Sequence, residues 1–485
     1  MEMVNAENVV PIEHPTRRGA SAPAWVTPPA PPRPGATRRR VAARLAAGAA
    51  AGATPAACGP LPPGDGAAGK AATAPANLEL VAYTWGQHVI DTWTATLAQY
   101  SARHPQVKAA FVDGGGYGKT VEKLQVLMAS DQTPDLAMVI PDVLPQWVTL
   151  KKLVDLTPFV QREKGVRLDE WFKGAWDALA DERGRWYSTP VTWDGDMLYY
   201  NADLLAAAGV AAPTDDWTYD DLLAAARRVH RPDPGGQAEK HTWGLGLGWL
   251  PWLVIAESFG GRVWDRDQFF TRSTAERPEF VAGIEFMHDL IRKHQLVPPP
   301  AGAGGGPFRE GRVGLGLTFG SWTIQGYIDK PVPFRYDVAY PPMNRQTKGR
   351  ASIGQDNNFV VFPDKKQVEA AWALIHEISL TLEGQETLGA ALETPALRKA
   401  AEGRYLKEVL LPPKGPPSGA KVIPVLDKMT RPVQNGLVPE DQWFALGNKL
   451  FGEVWAGDQA PRAACQEFAR QCDALLAQAR AAASR

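Results

Sequence analysis

The sequence predicts an α/β protein of two lobes with a helical C-terminus. Residues 78–83 read as a strand, 91–103 as a helix stopped by Pro105, 108–112 as a strand, 120–129 as a helix and 136–140 as a buried strand. This β-α-β-α-β order implies a parallel sheet with helices on both faces, a layout that binds ligands beyond the carboxyl ends of its strands. A second block begins near Met197, and helical spacing at 443–455 and 461–482 closes the chain. The 485 residues allow about two to four domains, and two lobes flanking a cleft suit that length.

The first 77 residues stand apart. They are rich in Pro, Ala and Gly and poor in large apolar side chains, so they cannot bury enough surface to offset ordering entropy. Within them Arg38, Arg39, Arg40 and Arg44 precede the small-residue run 45–57 and the sequence Pro55-Ala56-Ala57-Cys58. A charged segment, a weak apolar segment and a box ending in cysteine read as an export signal, with Cys58 as the acylated residue. Pro55 departs from the aliphatic residue usual in such a box, and the arginine triplet faintly resembles a twin-arginine signal. Because 37 residues precede Arg38, a translation start farther downstream is expected. Residues 1–57 are therefore expected to be a leader, and 58–77 a disordered tether holding the folded part off the membrane.

Farther along, Thr218 and Asp221 have the spacing of a capping box, ahead of a helix whose Leu222, Ala226 and Val229 share one face. Helical spacing returns at 277–294 and, after Pro363-Asp364, at 368–382. Glycine-rich 301–306 and proline-rich 411–417 read as loops. There is no internal repeat.

Composition excludes several functions. Lys+Arg 52 against Asp+Glu 53 gives a net charge of -1, so no basic field attracts nucleic acid. No apolar run is long enough for a spanning helix, and membrane contact is expected only through a lipid on Cys58. Cys465 and Cys472 sit in one helical segment, where seven residues of rise separate them by about 10 Å, beyond bridging distance. Asp113-Gly114-Gly115-Gly116-Tyr117-Gly118-Lys119-Thr120 imitates a phosphate-binding loop, but Asp113 stands where the first glycine belongs and would face the phosphate. The segment reads instead as a rim that brings backbone amides and Tyr117 to a neutral ligand. The histidines lack His-Glu-x-x-His spacing and the cysteines lack a Cys-x-x-Cys pair, so neither a metal nor a cofactor is expected. Asp194 and Asp196, with Asp142, Asp356 and Glu257 in other loops, leave a glycoside hydrolase or lyase open, since such enzymes need two carboxyls flanking the sugar.

The strongest chemical signal is aromatic. Tryptophan (17) outnumbers tyrosine (11) and phenylalanine (16). Trp85, Trp193, Trp249, Trp252, Trp264, Trp322 and Trp443 fall in loop contexts or near them, accompanied by Asp, Asn and Gln. A sugar ring offers an apolar C–H face and a rim of hydroxyls, which call for flat indoles and planar polar groups. Any one of these tryptophans is more often core than platform, and Trp372 reads as core; it is the set that points to a carbohydrate.

Short motifs in order carry a resemblance. Gly184-Arg185-Trp186-Tyr187-Ser188-Thr189-Pro190, then Leu198-Tyr199-Tyr200-Asn201 and Ala208-Gly209, form the most specific stretch. His104-Pro105-Gln106-Val107, Thr133-Pro134-Asp135, Leu153-Val154-Asp155-Leu156-Thr157-Pro158, Phe308-Arg309-Glu310-Gly311-Arg312, Gly320-Ser321-Trp322 and Ala370-Ala371-Trp372 keep the same order. Together, over 78–483, they resemble the family 1 extracellular solute-binding proteins of ABC importers. The resemblance implies a two-lobe, type II periplasmic-binding-protein-like fold that closes by a hinge and has no catalysis. Lobe one would comprise 78–192 and 358–405, lobe two 196–354 and 415–485, with crossovers at 191–197 and 353–359. It also implies an exported monomer without cofactor, capturing a mono- or oligosaccharide for a two-subunit ABC permease.

By position, the resemblance makes Asp194 a hinge carboxylate for sugar hydroxyls, with Trp193 beside it. It makes Trp322 and Trp443 aromatic platforms, and Trp249 and Trp252 an aromatic loop. Asp142 would be an acidic position after the third strand, and Trp85 would lie at the end of the first. The second crossover is more polar than is typical, and Gln355, Asp356 and Asn357 would suit hydroxyls. A polyol, sugar-phosphate or peptide ligand stays open, as does a surface adhesin that does not transport.

Overall fold

The structure is a computed structural model that describes residues 75–483 apart from 178, 182, 268, 269, 300–304, 355, 364–366 and 435. Cys58, the leader and the tether as far as residue 74 lie outside the described residues, as does Gln355. The strands, in chain order, are β1 (Ala76–Ala82), β2 (Val107–Asp113), β3 (Leu136–Val139), β4 (Thr189–Pro190), β5 (Asp196–Asn201), β6 (Trp243–Leu247), β7 (Val313–Gly320), β8 (Tyr336–Ala339), β9 (Ser352–Gly354), β10 (Asn358–Val361) and β11 (Thr430–Pro432). β1 begins at Ala76, two residues inside the expected tether, because the Ala76 side chain already faces the core.

The first lobe is built on a sheet of order β2-β1-β3-β10-β4. β1 pairs in parallel with β2 and β3, and β10 runs antiparallel to β3 and β4. Helices Gln87–Arg103 and Tyr117–Ala129 supply the crossovers that parallel pairing requires. The second lobe holds a sheet of order β6-β7-β5-β8, with β6 parallel to β7 and β5 antiparallel to both its neighbours. Side chains on β5 alternate: Met197 and Tyr199 join the core that continues from lobe one, while Leu198 and Tyr200 join the core of lobe two. Thr218 and Asp221 do form a reciprocal capping box, at the head of helix Tyr219–Val229.

Part of the glycine-rich 301–306 stretch is not a loop. Gly305 and Gly306 open a short helix, Gly305–Arg309, drawn in by the fully buried Phe308. Helix 368–382 is likewise two: a wide-turned segment, His376–Leu380, ends it before Thr381 caps a new helix, Leu382–Ala391. Helices Glu440–Ala456 and Pro461–Ala483 pack on each other, and the second also packs on helix Pro278–His288. Cys465 and Cys472 are buried and free. Among the described residues no helix is long and apolar enough to cross a membrane.

Between the sheets the chain crosses from β4 to β5 and from β9 to β10, and β9 forms a short parallel ladder with β11. This seam is packed around Trp193. Its indole lies so close to Gly174 and Gly354 that a Cβ on either would come within 2.2 or 2.6 Å of the ring. Its Nε1 donates to the Leu426 carbonyl at 3.2 Å.

Candidate functional site

The lobe-one wall is assembled at the carboxyl ends of β1, β2 and β3. Tyr83 packs edge-on to Tyr117 with ring centroids 5.0 Å apart, and at 5.4 Å from Trp85. The Tyr83 hydroxyl donates to Asn357 Oδ1, and the Tyr117 hydroxyl donates to Asp142. Trp85 is 41% exposed, an unusual position for an indole. The Asp113 carboxylate accepts from the Gly115 amide at 2.8 Å and from Thr84 Oγ1 at 2.9 Å. The loop thus satisfies an amide internally, which is incompatible with a phosphate cradle.

The opposite wall is aromatic and comes from lobe two. Half-buried Trp249 and Trp322 meet edge to face at 6.1 Å, and Phe444 approaches Trp249 at 6.5 Å. Two non-glycine residues with left-handed backbone hold this wall: Thr318 (φ 61) in β7 and Leu250 (φ 45) just after Trp249. Such conformations are costly, persist only where the surroundings enforce them, and concentrate at functional sites. Gly320 is bare for a steric reason, since a Cβ there would fall 2.0 Å from the Trp322 ring. Across the cleft, His88 of the first helix lies 3.8 Å from Asp329, which ends the helix that follows Trp322.

Hydrogen bonds tie both walls to the crossovers. Asp194 Oδ1 accepts from Ser321 Oγ of lobe two at 2.6 Å and from Thr394 Oγ1 at 2.9 Å. Asn357 Nδ2 donates to Thr192 Oγ1 at 2.8 Å and to Glu393 Oε2 at 2.7 Å. Asp356 is buried beside Asn357, and among the described residues neither of its carboxylate oxygens has a hydrogen-bond partner; nor does Asp194 Oδ2. Burial first, then neighbouring Asp142, raises the proton affinity of Glu440 at the start of helix Glu440–Ala456, and Asp441 of the same helix adds to the effect of burial on Asp142. Burial pushes Asp194 up to about 6 and Asp142 up to about 7. Burial first, then neighbouring Asp194, holds the carboxyls of Asp356 and Glu393 well above the usual carboxylate range.

Asp196 belongs to the same seam but faces away from Asp194, accepting from the Ile353 amide at 3.2 Å. Burial pushes its carboxyl up to about 8. From the ordinary value near 4 up to that value, the folded state keeps a proton that the unfolded chain has released. Stability therefore falls as pH rises across this window, by about 1.4 kcal/mol per pH unit. Asp194 and Asp142 act in the same direction over narrower windows. Asp196→Asn is expected to make the decline between pH 4 and 8 shallower, measured by urea unfolding at several pH values; an unchanged slope would contradict a neutral buried Asp196.

Three tryptophans expected as ligand platforms are core residues instead. Trp193 fills the seam as described. Trp252 is 2% exposed, donates Nε1 to Asn448 Oδ1 at 3.0 Å, and lies among Phe280, Phe451 and Phe468. Trp443 is fully buried because helix Glu440–Ala456 turns Trp443, Gly447, Leu450, Phe451 and Val454 inward together; the next residue, Phe444, is the one that reaches Trp249. Trp85, Asp142, Asp194, Trp249, Trp322, Asp356 and Asn357 are all at the cleft or the crossovers. Tyr83, Glu393, Thr394, Glu440 and Phe444 join them in the structure without having been expected there. Tyr83 ends the first strand two residues before Trp85 and was legible from that position; Glu393-Thr394 follow a helix and carry no local signal.

Two α/β lobes are thus joined by short crossover strands, with indoles and buried carboxyls gathered at the seam. The chain belongs to the bacterial extracellular solute-binding protein family, whose sequence profile matches residues 86–379. A substrate-binding protein of Listeria monocytogenes, solved in complex with cycloalternan, has a similar fold, with a TM-score of 0.70 at 22% identity over 83% of this chain and 99% of that one. The sugar-binding protein MalE of Xanthomonas citri gives 0.68 at 18% identity over 83% and 98%. In sequence, the chain is 24% identical over 203 residues to a binding protein of Brucella abortus, covering 40% of this chain and 46% of that protein. The match thus spans about half the length of that relative.

Proposed function

We propose that this protein captures a mono- or oligosaccharide between its lobes and delivers it, chemically unchanged, to an ABC permease. The observation that carries this reading is Asp194: one carboxylate oxygen is fixed by Ser321, the residue before Trp322, and by Thr394, and the other meets no N–H or O–H donor among the described residues, with the Glu393 carboxyl as its neighbour. A carboxylate so placed accepts sugar hydroxyls while an indole covers a ring face. The family membership, the cycloalternan bound by the Listeria monocytogenes protein and the likeness to the sugar-binding protein of Xanthomonas citri support it. The carboxyls serve as acceptors in this reading, not as an acid and base pair. Export, a monomeric state and a lipid anchor on Cys58 complete it.

In this reading the ligand favours the closed form by its differential affinity for it, and His88 of lobe one and Asp329 of lobe two, 3.8 Å apart, are a pair that closure would bring together. Trp249→Ala and Trp322→Ala are each expected to weaken sugar binding by about 1–3 kcal/mol, the range of ring stacking on an aromatic, as measured by calorimetry. Trp252→Phe, a core change, is expected to leave affinity in place. Undiminished affinity in both alanine variants would remove the aromatic wall from the site.

A further inference from the structure

The seam is acidic without a matching cation. Asp142, Asp194, Asp356, Glu393 and Glu440 gather there, and none forms an ion pair with Lys, Arg or His among the described residues. Four of them, all but Glu440, act electrostatically on the hydroxyl of the one residue Tyr83, which places them around a single ring. Among the described residues, both oxygens of Asp356 and Oδ2 of Asp194 have no hydrogen-bond donor, although these residues are only 2% and 1% exposed.

Carboxylates this deep are normally paired, because desolvating an ion costs several kcal/mol. The protein does pair such a group elsewhere: Glu257, 7% exposed, is met by Arg431. Nor does the seam form a metal site, since no group of three or more His, Cys, Asp or Glu among the described residues could hold a metal ion. In the empty seam such carboxyls are neutralised by keeping their protons, as burial favours for Asp356 and Glu393; a cationic ligand group would neutralise them by taking the protons' place.

We infer that the solute is a carbohydrate bearing a protonated amine, the class of glucosamine and its oligomers, with the ammonium group seated against Asp356 and the free oxygen of Asp194. This inference rests on the carbohydrate reading above. An ammonium group carries three donors and a full charge on one atom, whereas a hydroxyl supplies one donor and no charge.

The test is calorimetry on the full-length chain with matched saccharides that differ only at one position: free amine, N-acetyl or hydroxyl, in gluco, galacto and manno configurations and from one to four rings. The free amine is expected to bind tighter than both counterparts by about tenfold or more, the scale of a charge-assisted hydrogen bond. Asp356→Asn is expected to erase most of that preference while the thermal midpoint stays level or rises. Equal or tighter binding of the hydroxyl or N-acetyl form would overturn the cation and leave the carbohydrate reading intact. If no saccharide of any kind binds, the carbohydrate reading fails and this inference fails with it.

Discussion

Asp194→Asn is expected to weaken ligand binding by about 1.5–3 kcal/mol, the range for a hydrogen bond to a charged group. Calorimetry on the wild-type and variant chains would show this as a loss of about ten- to a hundredfold in affinity. The substitution keeps one oxygen that can accept from Ser321 or Thr394, so the link between crossover and lobe two survives. What it removes is the charge and the unpaired acceptor at Oδ2. Because burial pushes the Asp194 carboxyl up to about 6, ionising it at neutral pH opposes folding. The variant is therefore expected to be as stable as the wild type, or more so, above pH 6. Affinity within a factor of two of wild type would mean that Asp194 is a structural hinge residue and not a ligand acceptor.

Trp193→Ala is expected to produce the largest loss of stability, about 3–5 kcal/mol for a large aromatic removed from a packed interior. The indole sits where both lobes and the short β9–β11 ladder meet, closed in by Gly174 and Gly354 and bonded to the Leu426 carbonyl. Backbone at Gly174, Gly354 and Leu426 borders the ring and resists collapse, which puts the loss toward the upper part of that range. The cavity would also slacken the crossover that positions Asp194, so affinity is expected to fall with stability. Guanidinium unfolding measures the first effect, and a loss under about 1 kcal/mol would contradict the role of Trp193 as the plug of the seam.

The first lobe was legible because its strands and helices announce themselves by period: β1 and the helix from Gln87 alternate and repeat as a half-buried strand and an amphipathic helix should. The carboxylate at Asp194 was legible only through its place in an ordered set of motifs, since nothing within the crossover says that Ser321 and Thr394, 127 and 200 residues away, will meet it. The same limit hid Glu393, whose partner Asn357 is 36 residues away and whose neighbour Asp194 lies on another crossover. Trp443 was misjudged for a different reason. Its helical register with Gly447, Leu450 and Phe451 already marked it as core, but the abundance of tryptophan drew it into the ligand set. Trp249 and Trp322 stayed half-buried because strained backbone at Leu250 and Thr318, and a bare Gly320, hold their rings at the cleft. Strain of that kind leaves no pattern in a sequence, since neither Leu nor Thr favours a left-handed conformation.

The central claim is that a sugar enters the seam and leaves it unaltered. Thermal melts of the full-length chain against mono- and oligosaccharides, amino sugars, polyols, sugar phosphates and peptides, followed by mass spectrometry of the recovered ligand, test it most directly. A ligand held at 100 times its dissociation constant stabilises the fold by about 2.7 kcal/mol, enough to move the midpoint visibly. The expected result is that one class of saccharide raises the midpoint and is recovered intact. A saccharide recovered cleaved, or a midpoint that moves only with a solute that is not a sugar, would contradict the account.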